Sequence, residues 1–303
     1  MTKTVAYLVG GDNWIPCFVS VYSLLDNNQN ADIRVVIFSE EDQNNHFFSN
    51  TDVLKDVHSN FTLNFIKIPQ QELEKLPTPP GEDPMFPKAV NAKLLIPKLF
   101  CDPPQNFLYL DPDTLILNNL DDLFERSLSK TTIAAAPDAQ NMIAGLGVSL
   151  KKQYFNTGVM YVNNRRWLST DVTDACFRFI RERKPIYMDQ TSLNAVLHRR
   201  DDVDIISPRY NFIRSWKTNS DNNIVFSFDW NKINIIHYAG VPKPWHYRAE
   251  GTVNDYWLSY CNRTPFDDFY PKHRSSKLVE YIEAILKPFP RLRTIAKCIY
   301  QNL

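Results

Sequence analysis

Glycine is scarce in this sequence, with eight residues among 303. A dinucleotide-binding fingerprint needs G-x-G-x-x-G directly after the first strand, and no such pattern follows the apolar run at residues 4–10. The sequence therefore offers no glycine-rich loop to hold phosphates. A metal ion is the better candidate partner for any diphosphate ligand.

Clustered cysteines and long apolar runs are also missing. The five cysteines are widely separated and include no CxxC pair, so neither a disulfide framework nor a zinc site is indicated. They are expected to be reduced thiols in a cytosolic protein. Because no apolar run approaches about 18 residues, no membrane-spanning helix is predicted. The N-terminus shows no apolar segment typical of a signal peptide.

Net charge is missing as well, since 34 basic and 34 acidic residues give a formal charge of zero. Without an overall positive field we expect no nucleic-acid partner. The balance conceals an asymmetry: residues 271–303 contain seven Lys or Arg and two Glu, a net charge of +5, which leaves −5 for residues 1–270.

What the sequence does have is an alternation of strand and helix patterns. Short apolar runs predict strands, and apolar residues at helical spacing predict helices between them. The alternation indicates an α/β fold with a Rossmann-like, mixed but mainly parallel sheet. Residues 69–88 carry six prolines and predict a long irregular loop. The predicted strands are residues 4–10, 32–38, 61–68, 107–110, 132–136, 154–162 and 234–236, and the predicted helices are residues 15–25, 88–99, 167–184 and 189–198.

Two carboxylates directly follow the fourth apolar run, in the sequence Phe-Leu-Tyr-Leu-Asp-Pro-Asp at residues 107–113. Ligands of open α/β sheets bind beyond the carboxyl ends of the strands. Side chains two residues apart in an extended chain point to the same side. Asp111 and Asp113 are therefore predicted to face one site, where two hard oxygen ligands suit Mg²⁺ or Mn²⁺. The alternative is a solvated Asp-Pro-Asp turn.

Five short motifs together carry a resemblance to a known family. They are Gly-Asp-Asn-Trp at 11–14, the run at 107–113, Tyr-Phe-Asn-Thr-Gly-Val at 154–159, Asp-Gln at 189–190, and His-Tyr-Ala-Gly at 237–240 with Lys-Pro-Trp at 243–245. On these motifs, most of the chain resembles the family 8 glycosyltransferases, which include bacterial lipopolysaccharide galactosyl- and glucosyltransferases and glycogenin. The resemblance implies a GT-A type catalytic domain, which we place at residues 1–250. Residues 251–303 are predicted to form a small, basic amphipathic helical appendage.

The activity that the resemblance implies is a retaining transfer of a hexose, galactose or glucose, from a UDP-sugar to a glycan or glycolipid acceptor. His237 would join Asp111 and Asp113 in holding the cation, and an imidazole beside two carboxylates favours Mn²⁺ over Mg²⁺. Lys243, just after Gly240, would offer a positive charge to the diphosphate. In isolation, His237 would more often be a satisfied core residue, and Lys243 a solvated lysine.

Four further residues match positions at which the family holds the donor. Trp14 would stack on the uracil ring, although core packing is the alternative. Asp12 and Asn13 could hydrogen-bond the base or the ribose, and both are also common turn residues. Lys93 stands where family members commonly carry an arginine that contacts phosphate and sugar. Lysine keeps the charge but loses the bidentate geometry.

The reacting centre is assigned to Asn156, Asp189 and Gln190, which match the positions around the donor sugar. Asp189 could hydrogen-bond sugar hydroxyls, with a helix N-cap role as the alternative. Gln190 would lie near the anomeric carbon. Because an amide is a poor nucleophile, a front-face displacement by the acceptor hydroxyl fits better than a covalent intermediate on Gln190. The departing phosphate would serve as the base.

Two other function classes fit part of the pattern. An apolar run followed by Asp-x-Asp-Thr also occurs in haloacid-dehalogenase phosphatases, but there it follows the first strand, whereas three predicted strands precede it here. A non-catalytic sugar-nucleotide or glycan-binding module on the same fold is the second alternative, since a fold does not fix an activity.

The C-terminal region has a composition of its own. Residues 276–286 and 292–300 place apolar residues at helical spacing, and the second segment carries basic residues without an acid. A basic amphipathic helix is typical of a segment lying on an anionic membrane surface. We therefore expect a cytoplasmic protein, with a peripheral contact to the cytoplasmic face of the inner membrane. The alternative is packing of this helix on the acidic remainder of the chain.

Overall fold

The alternating apolar runs and helical stripes fold into two sheets and their flanking helices. The computed structural model describes residues 2–81, 87–138, 153–213, 230–240, 243–245, 252–269 and 285. The strands are β1 (Lys3–Leu8), β2 (Ile33–Ser39), β3 (Phe61–Lys67), β4 (Asn106–Leu110), β5 (Thr114–Ile116), β6 (Ile133–Pro137), β7 (Phe155–Asn163), β8 (Val203–Ile205), β9 (Phe212–Ile213) and β10 (Ile235–His237). The helices are α1 (Trp14–Asp26), α2 (Asn45–Phe48), α3 (Thr51–Val57), α4 (Gln70–Glu74), α5 (Ile96–Leu99), α6 (Asp121–Phe124), α7 (Asn164–Ser169), α8 (Val172–Arg183), α9 (Met188–Arg199) and α10 (Thr252–Cys261).

Seven strands form the larger sheet, in the order β3-β2-β1-β4-β7-β6-β8. The strands β3, β2, β1 and β4 are parallel to one another, whereas β7 runs antiparallel to both β4 and β6. The pair β6 and β8 is parallel again. The predicted mixed, mainly parallel sheet is confirmed. The strand β4 lies where the parallel half meets the antiparallel strand β7.

A smaller sheet has the order β5-β10-β9, and its strand β5 follows β4 directly in the chain. The strand β10 runs antiparallel to β5 and parallel to β9, with His237 opposite Thr114. Antiparallel pairing therefore places the end of β10 beside the turn that joins β4 to β5. This pairing brings residues from the middle and the late part of the chain to the same edge.

Helix α9 is attached to the first residue of β7 by the buried side chain of Asn194. Its Oδ1 accepts from the Phe155 backbone N–H at 2.9 Å, and its Nδ2 donates to the Phe155 carbonyl at 2.9 Å. A second link to the sheet is hydrophobic, since Leu193 of α9 shares one buried cluster with Tyr109 and Met160. Helix α9 is therefore fixed against the start of β7, the strand that pairs antiparallel with β4.

Three predicted elements differ from those observed. The predicted helix at residues 167–184 is two helices, α7 and α8, because Asp171 adopts a left-handed conformation with φ of 51° that interrupts helical bonding. The predicted helix at residues 88–99 begins as a 3-10 helix, Lys88–Leu95, and only α5 is α-helical. The proline-rich loop contains a short helix, α4, which begins directly after Pro69.

The chain divides into two compact units, Met1–Ala239 and Gly240–Leu303. In the second unit, Trp245 packs on Trp257 with ring centroids 4.8 Å apart, and both lie 6.4 Å from the ring of Phe269. The predicted functional boundary after residue 250 stays a prediction. Apart from residue 285, the predicted basic segments at 276–286 and 292–300 lie outside the described residues. Among the described helices, none has the length and apolar character needed to cross a bilayer.

Candidate functional site

The two carboxylates after β4 converge through a tight turn. The Thr114 backbone N–H and hydroxyl both donate to the Asp111 carbonyl, at 3.2 and 2.8 Å. The predicted convergence of Asp111 and Asp113 is present, but the extended geometry from which it was predicted is wrong. The chain makes a turn at Pro112 between the two carboxylates and then enters β5.

His237 completes a cluster of three candidate metal ligands. Its Nε2 lies 3.4 Å from Asp113 Oδ1 and 3.7 Å from Asp111 Oδ2, and the three ligand atoms all lie within 4.8 Å of one another. Ligand atoms about 2.1 Å from one octahedral cation are about 3 Å apart in cis positions and about 4.2 Å apart in trans positions. Two carboxylate oxygens and an imidazole nitrogen at these separations fit a divalent cation such as Mn²⁺.

The absence of a side chain at Gly158 makes this cluster possible. A Cβ atom there would lie 2.1 Å from His237 Cε1 and 2.8 Å from Asp111 Oδ2, which is closer than any real contact. The carbonyl of Gly158 accepts from the Asp111 backbone N–H at 2.7 Å, which extends the pairing of β4 with β7 by one step. Glycine is therefore the residue that lets the two ligands approach β7 so closely.

A buried lysine lies behind the cluster. The ammonium group of Lys93 has three acceptors, namely Asp111 Oδ1 at 3.1 Å, Asp189 Oδ2 at 3.1 Å and the Thr157 carbonyl at 3.4 Å. Burial by itself would lower the pKa of Lys93, but the two carboxylates outweigh it and hold that pKa above its usual range. Lys93 is therefore a charged partner of both aspartates.

The two oxygens of Asp111 are used differently. Its Oδ1 accepts from Lys93 and from the Tyr109 hydroxyl, the latter at 2.7 Å, whereas Oδ2 faces His237. Burial, followed by the charge of Asp111, raises the pKa of Tyr109, so this hydroxyl remains a donor. The carboxylate is thus oriented by the protein through one oxygen and open to a cation through the other.

An amide network joins the predicted reacting residues. The Gln190 Oε1 accepts from Asn156 Nδ2 at 3.1 Å and from the Thr157 backbone N–H at 3.2 Å. The Asp138 carboxylate accepts from Asn156 Nδ2 at 3.1 Å and from Gln190 Nε2 at 3.0 Å. Every amide group named here has a fixed partner, so Gln190 and Asn156 are held in one orientation.

Asp189 lies in the first turn of α9 and is not its cap. The residue before the helix is Tyr187, whose side chain makes no capping bond. The Asp189 carboxylate instead pairs with Lys93 and accepts from the Thr157 hydroxyl at 3.2 Å. The alternative N-cap role is therefore wrong, and Asp189 faces the same region as Asp111.

The predicted donor-base residues lie just after β1. The indole of Trp14 is 5% exposed, packs against the rings of Phe47 and Phe65, and donates from Nε1 to Glu41 Oε2 at 2.8 Å. These contacts are those of a packed side chain, so stacking on a base stays a prediction. Asp12 and Asn13 are exposed in the 3-10 helix Gly11–Asn13.

Gly240 and Lys243 follow His237 in sequence and belong to the second compact unit. Gly240 has φ of +75°, a conformation that non-glycine residues rarely adopt, so the chain turns there in a way that favours glycine. The roles of both residues toward a diphosphate stay predictions.

Several residues with direct contacts to the site were not predicted. Asp138 follows the predicted strand at 132–136, and its position at a strand end was a usable signal. Asn211 contacts His237 Nδ1 at 3.0 Å, but it precedes a strand of two residues that gives no periodic pattern. Glu41 accepts from the Gly11 backbone N–H at 2.7 Å as well as from Trp14, a contact that sequence spacing does not reveal.

Comparisons with known proteins agree with this geometry. Residues 4–249 match the family described as Glycosyl transferase family 8. The lipopolysaccharide 1,2-glucosyltransferase of Escherichia coli is 25% identical over 297 residues, which cover 93% of this chain and 84% of that protein. General stress protein A of Bacillus subtilis is 26% identical over 194 residues, which cover 59% of this chain and 67% of that protein.

Solved structures show the fold. The galactosyltransferase LgtC, in complex with donor and acceptor sugar analogues, matches with a TM-score of 0.72 at 18% identity, covering 87% of this chain and 96% of that chain. The bifunctional glycosyltransferase WbbM matches with a TM-score of 0.73 at 19% identity, covering 91% of this chain and 52% of that chain. These neighbours confirm the predicted GT-A type of fold. The family match extends over most of the sequence, and the chain belongs to glycosyl transferase family 8.

Proposed function

We propose that this protein is a retaining glycosyltransferase that moves a hexose from a UDP-sugar to a glycan or glycolipid acceptor with the help of Mn²⁺ or Mg²⁺. The observation that carries the proposal is the convergence of Asp111, Asp113 and His237 at the carboxyl edge of β4 in a family 8 chain. Relatives named as a lipopolysaccharide 1,2-glucosyltransferase and a lipopolysaccharide 1,3-galactosyltransferase support glucose or galactose as the sugar.

The cation would be held by Asp111 Oδ2, Asp113 Oδ1 and His237 Nε2. A divalent cation at this position would neutralise the charge that develops on a departing diphosphate. The imidazole ligand favours Mn²⁺. Lys243, following Gly240, is proposed to contact the same diphosphate as a point charge.

For the donor sugar we propose contacts from Asp189 and from the amide pair of Asn156 and Gln190. The Gln190 carbonyl oxygen already accepts two hydrogen bonds, and an oxygen engaged in this way is a still weaker nucleophile. This supports a front-face displacement. The acceptor oxygen bonds to the anomeric carbon as the bond from that carbon to the phosphate oxygen breaks, and the hydroxyl proton passes to the departing phosphate.

The two alternative function classes are less well supported. Asp111 follows the fourth strand in chain order rather than the first, and the chain belongs to a glycosyltransferase family, so the phosphatase alternative has no remaining support. A binding module without activity could hold a sugar nucleotide with the same residues, and metal-dependent release of UDP from a UDP-sugar would distinguish it from an enzyme. The match to a glycosyltransferase family favours the enzymatic proposal.

The metal site gives the first prediction. Replacing Asp113 or Asp111 by Asn, or His237 by Ala, should lower metal-dependent release of UDP from a UDP-sugar by about 10²–10⁴-fold, because each change removes a carboxylate charge or an imidazole ligand from a cation that stabilises the leaving group by several kcal/mol. The exposed Asp102, which lies away from the cluster, provides a control as Asp102→Asn. Full activity in excess EDTA would contradict the metal assignment.

The position of Trp14 gives the second prediction. If the indole stacks on uracil, Trp14→Ala should weaken UDP binding by about 1–2 kcal/mol with little change in melting temperature. If it is only a packed residue, the melting temperature should fall while UDP affinity remains. Titration calorimetry with UDP and thermal unfolding of the same variant separate the two outcomes.

The buried ion pairs of Lys93 give the third prediction. Lys93→Met leaves Asp111 and Asp189 without their cation and should reduce the free energy of unfolding by about 3–5 kcal/mol. The matched control is Lys98→Met, which breaks an exposed pair with Asp174 and should cost less than about 1 kcal/mol. Denaturant unfolding without added metal measures both, and equal losses would contradict a structural role for the buried pairs.

The basic C-terminal sequence gives the fourth prediction. We propose that it holds the protein on an anionic membrane, where each basic residue is worth about 1 kcal/mol at low salt. Removing residues 289–303 should abolish salt-sensitive binding to vesicles that contain phosphatidylglycerol and leave transfer to a soluble acceptor intact. Absence of vesicle binding by the full chain would sink the membrane proposal, and loss of solubility on truncation would indicate packing on the rest of the chain.

A further inference from the structure

We propose that Asn211 is a positioning residue that fixes the tautomer of His237, so that Nε2 carries no proton and is free to bind a cation. The inference rests on the proposed metal site and deepens it. It concerns a residue that lies outside the five sequence motifs and that does not itself contact the two carboxylates.

A chain of hydrogen bonds that begins at a backbone N–H identifies the oxygen and nitrogen atoms of two side-chain amides. The N–H of Gly158 can only donate, and it lies 2.8 Å from a side-chain atom of Asn156, so that atom is the Oδ1 oxygen. The same Oδ1 lies 2.9 Å from the amide of Asn211, so the facing atom of Asn211 must be the Nδ2 donor. The remaining Oδ1 of Asn211 therefore faces His237 Nδ1, at 3.0 Å.

The protonation pattern of the imidazole follows from this chain. An amide oxygen can only accept, so Nδ1 of His237 must carry the proton. In the neutral ring Nε2 then carries a lone pair and no proton, and it faces Asp113 Oδ1 and Asp111 Oδ2. Three electron-pair donors thus face one point, an arrangement that attracts a cation.

The contact between the Asn211 amide and the His237 imidazole is buried. Asn211 is 0% exposed and His237 is 3% exposed, so a mobile surface water cannot easily replace the amide. The backbone of Asn211 is fixed by donation to the Pro208 carbonyl at 3.0 Å, and the next residue pairs with Ile236 on β10. The amide and the imidazole are therefore held by adjacent strands of the small sheet.

Loss of the Asn211 oxygen would favour the other tautomer. The buried Nδ1–H would have lost its acceptor, whereas a proton on Nε2 would find Asp113 Oδ1 at 3.4 Å. In that tautomer Nε2 is not available to a metal ion. Groups that orient a metal-binding histidine in this way typically change metal affinity by about 10–100-fold.

The test compares two variants. Asn211→Leu removes the acceptor with little change of volume. Asn234→Leu is the matched control, because Asn234 is 9% exposed, precedes β10 and donates to the Asn119 carbonyl at 2.7 Å, outside the chain of hydrogen bonds described above. Both changes remove a buried amide beside the same strand, so their general cost to stability should be similar.

The first measurement is the tautomer of His237 in the metal-free protein. Nitrogen NMR of ¹⁵N-histidine-labelled protein, at mildly alkaline pH where free histidine is neutral, reports which ring nitrogen carries the proton, and His237→Gln identifies the signal. We expect the Nδ1–H form in the wild type and in Asn234→Leu, and a shift to the Nε2–H form in Asn211→Leu. A wild-type ring in the Nε2–H form would overturn the inference.

The second measurement is the dissociation constant for Mn²⁺, obtained by titration calorimetry. Asn211→Leu should raise it about 10–100-fold, and Asn234→Leu should leave it near the wild-type value. Unchanged Mn²⁺ affinity and an unchanged tautomer in folded Asn211→Leu would also overturn the inference.

If that variant does not fold, Asn211→Asp, which retains an acceptor for Nδ1–H, should keep the wild-type tautomer, and the wild-type spectrum decides independently. A wild-type protein that does not bind Mn²⁺ would instead contradict the proposed function.

Discussion

The buried ammonium group of Lys93 connects the two sides of the site. On one side it pairs with Asp111, whose second oxygen faces the other candidate metal ligands, and on the other it pairs with Asp189 at the start of α9. Carboxylates taken out of water need a compensating charge, and a third acceptor, the Thr157 carbonyl, completes the coordination of the ammonium. The candidate metal ligands and the residues proposed to contact the donor sugar are therefore linked through one side chain.

Much of the fold follows from local patterns in the sequence. Strands of the parallel half were predicted within two residues of their observed ends because their apolar residues form short runs or alternate with polar ones. The prediction failed where conformation depends on a single residue, as at Asp171, whose positive φ divides the predicted helix in two. No apolar periodicity records such a break. The short strands β5, β8 and β9 were also missed, because two or three residues give no periodic signal.

Residues of the candidate site were predictable where they belong to short sequence motifs. Asp111 and Asp113 were found from their position after an apolar run, although a turn and not an extended chain brings them together. His237 was found only through the family resemblance, since its partners lie far away in sequence. Asn211 and Glu41 could not be found, because their contacts are created by tertiary pairing. Sequence reasoning thus finds residues that perform chemistry more readily than residues that orient them.

The long-range pairing of β5 with β10 has a thermodynamic consequence. Asp113 and His237 are separated by more than a third of the chain, so their ligand atoms meet only after the intervening loop has been closed, at an entropic cost that grows with loop length. The unfolded chain has no equivalent site. A ligand that contacts both residues therefore binds the native state alone, and its binding free energy adds to the stability of the fold in proportion to the logarithm of its concentration.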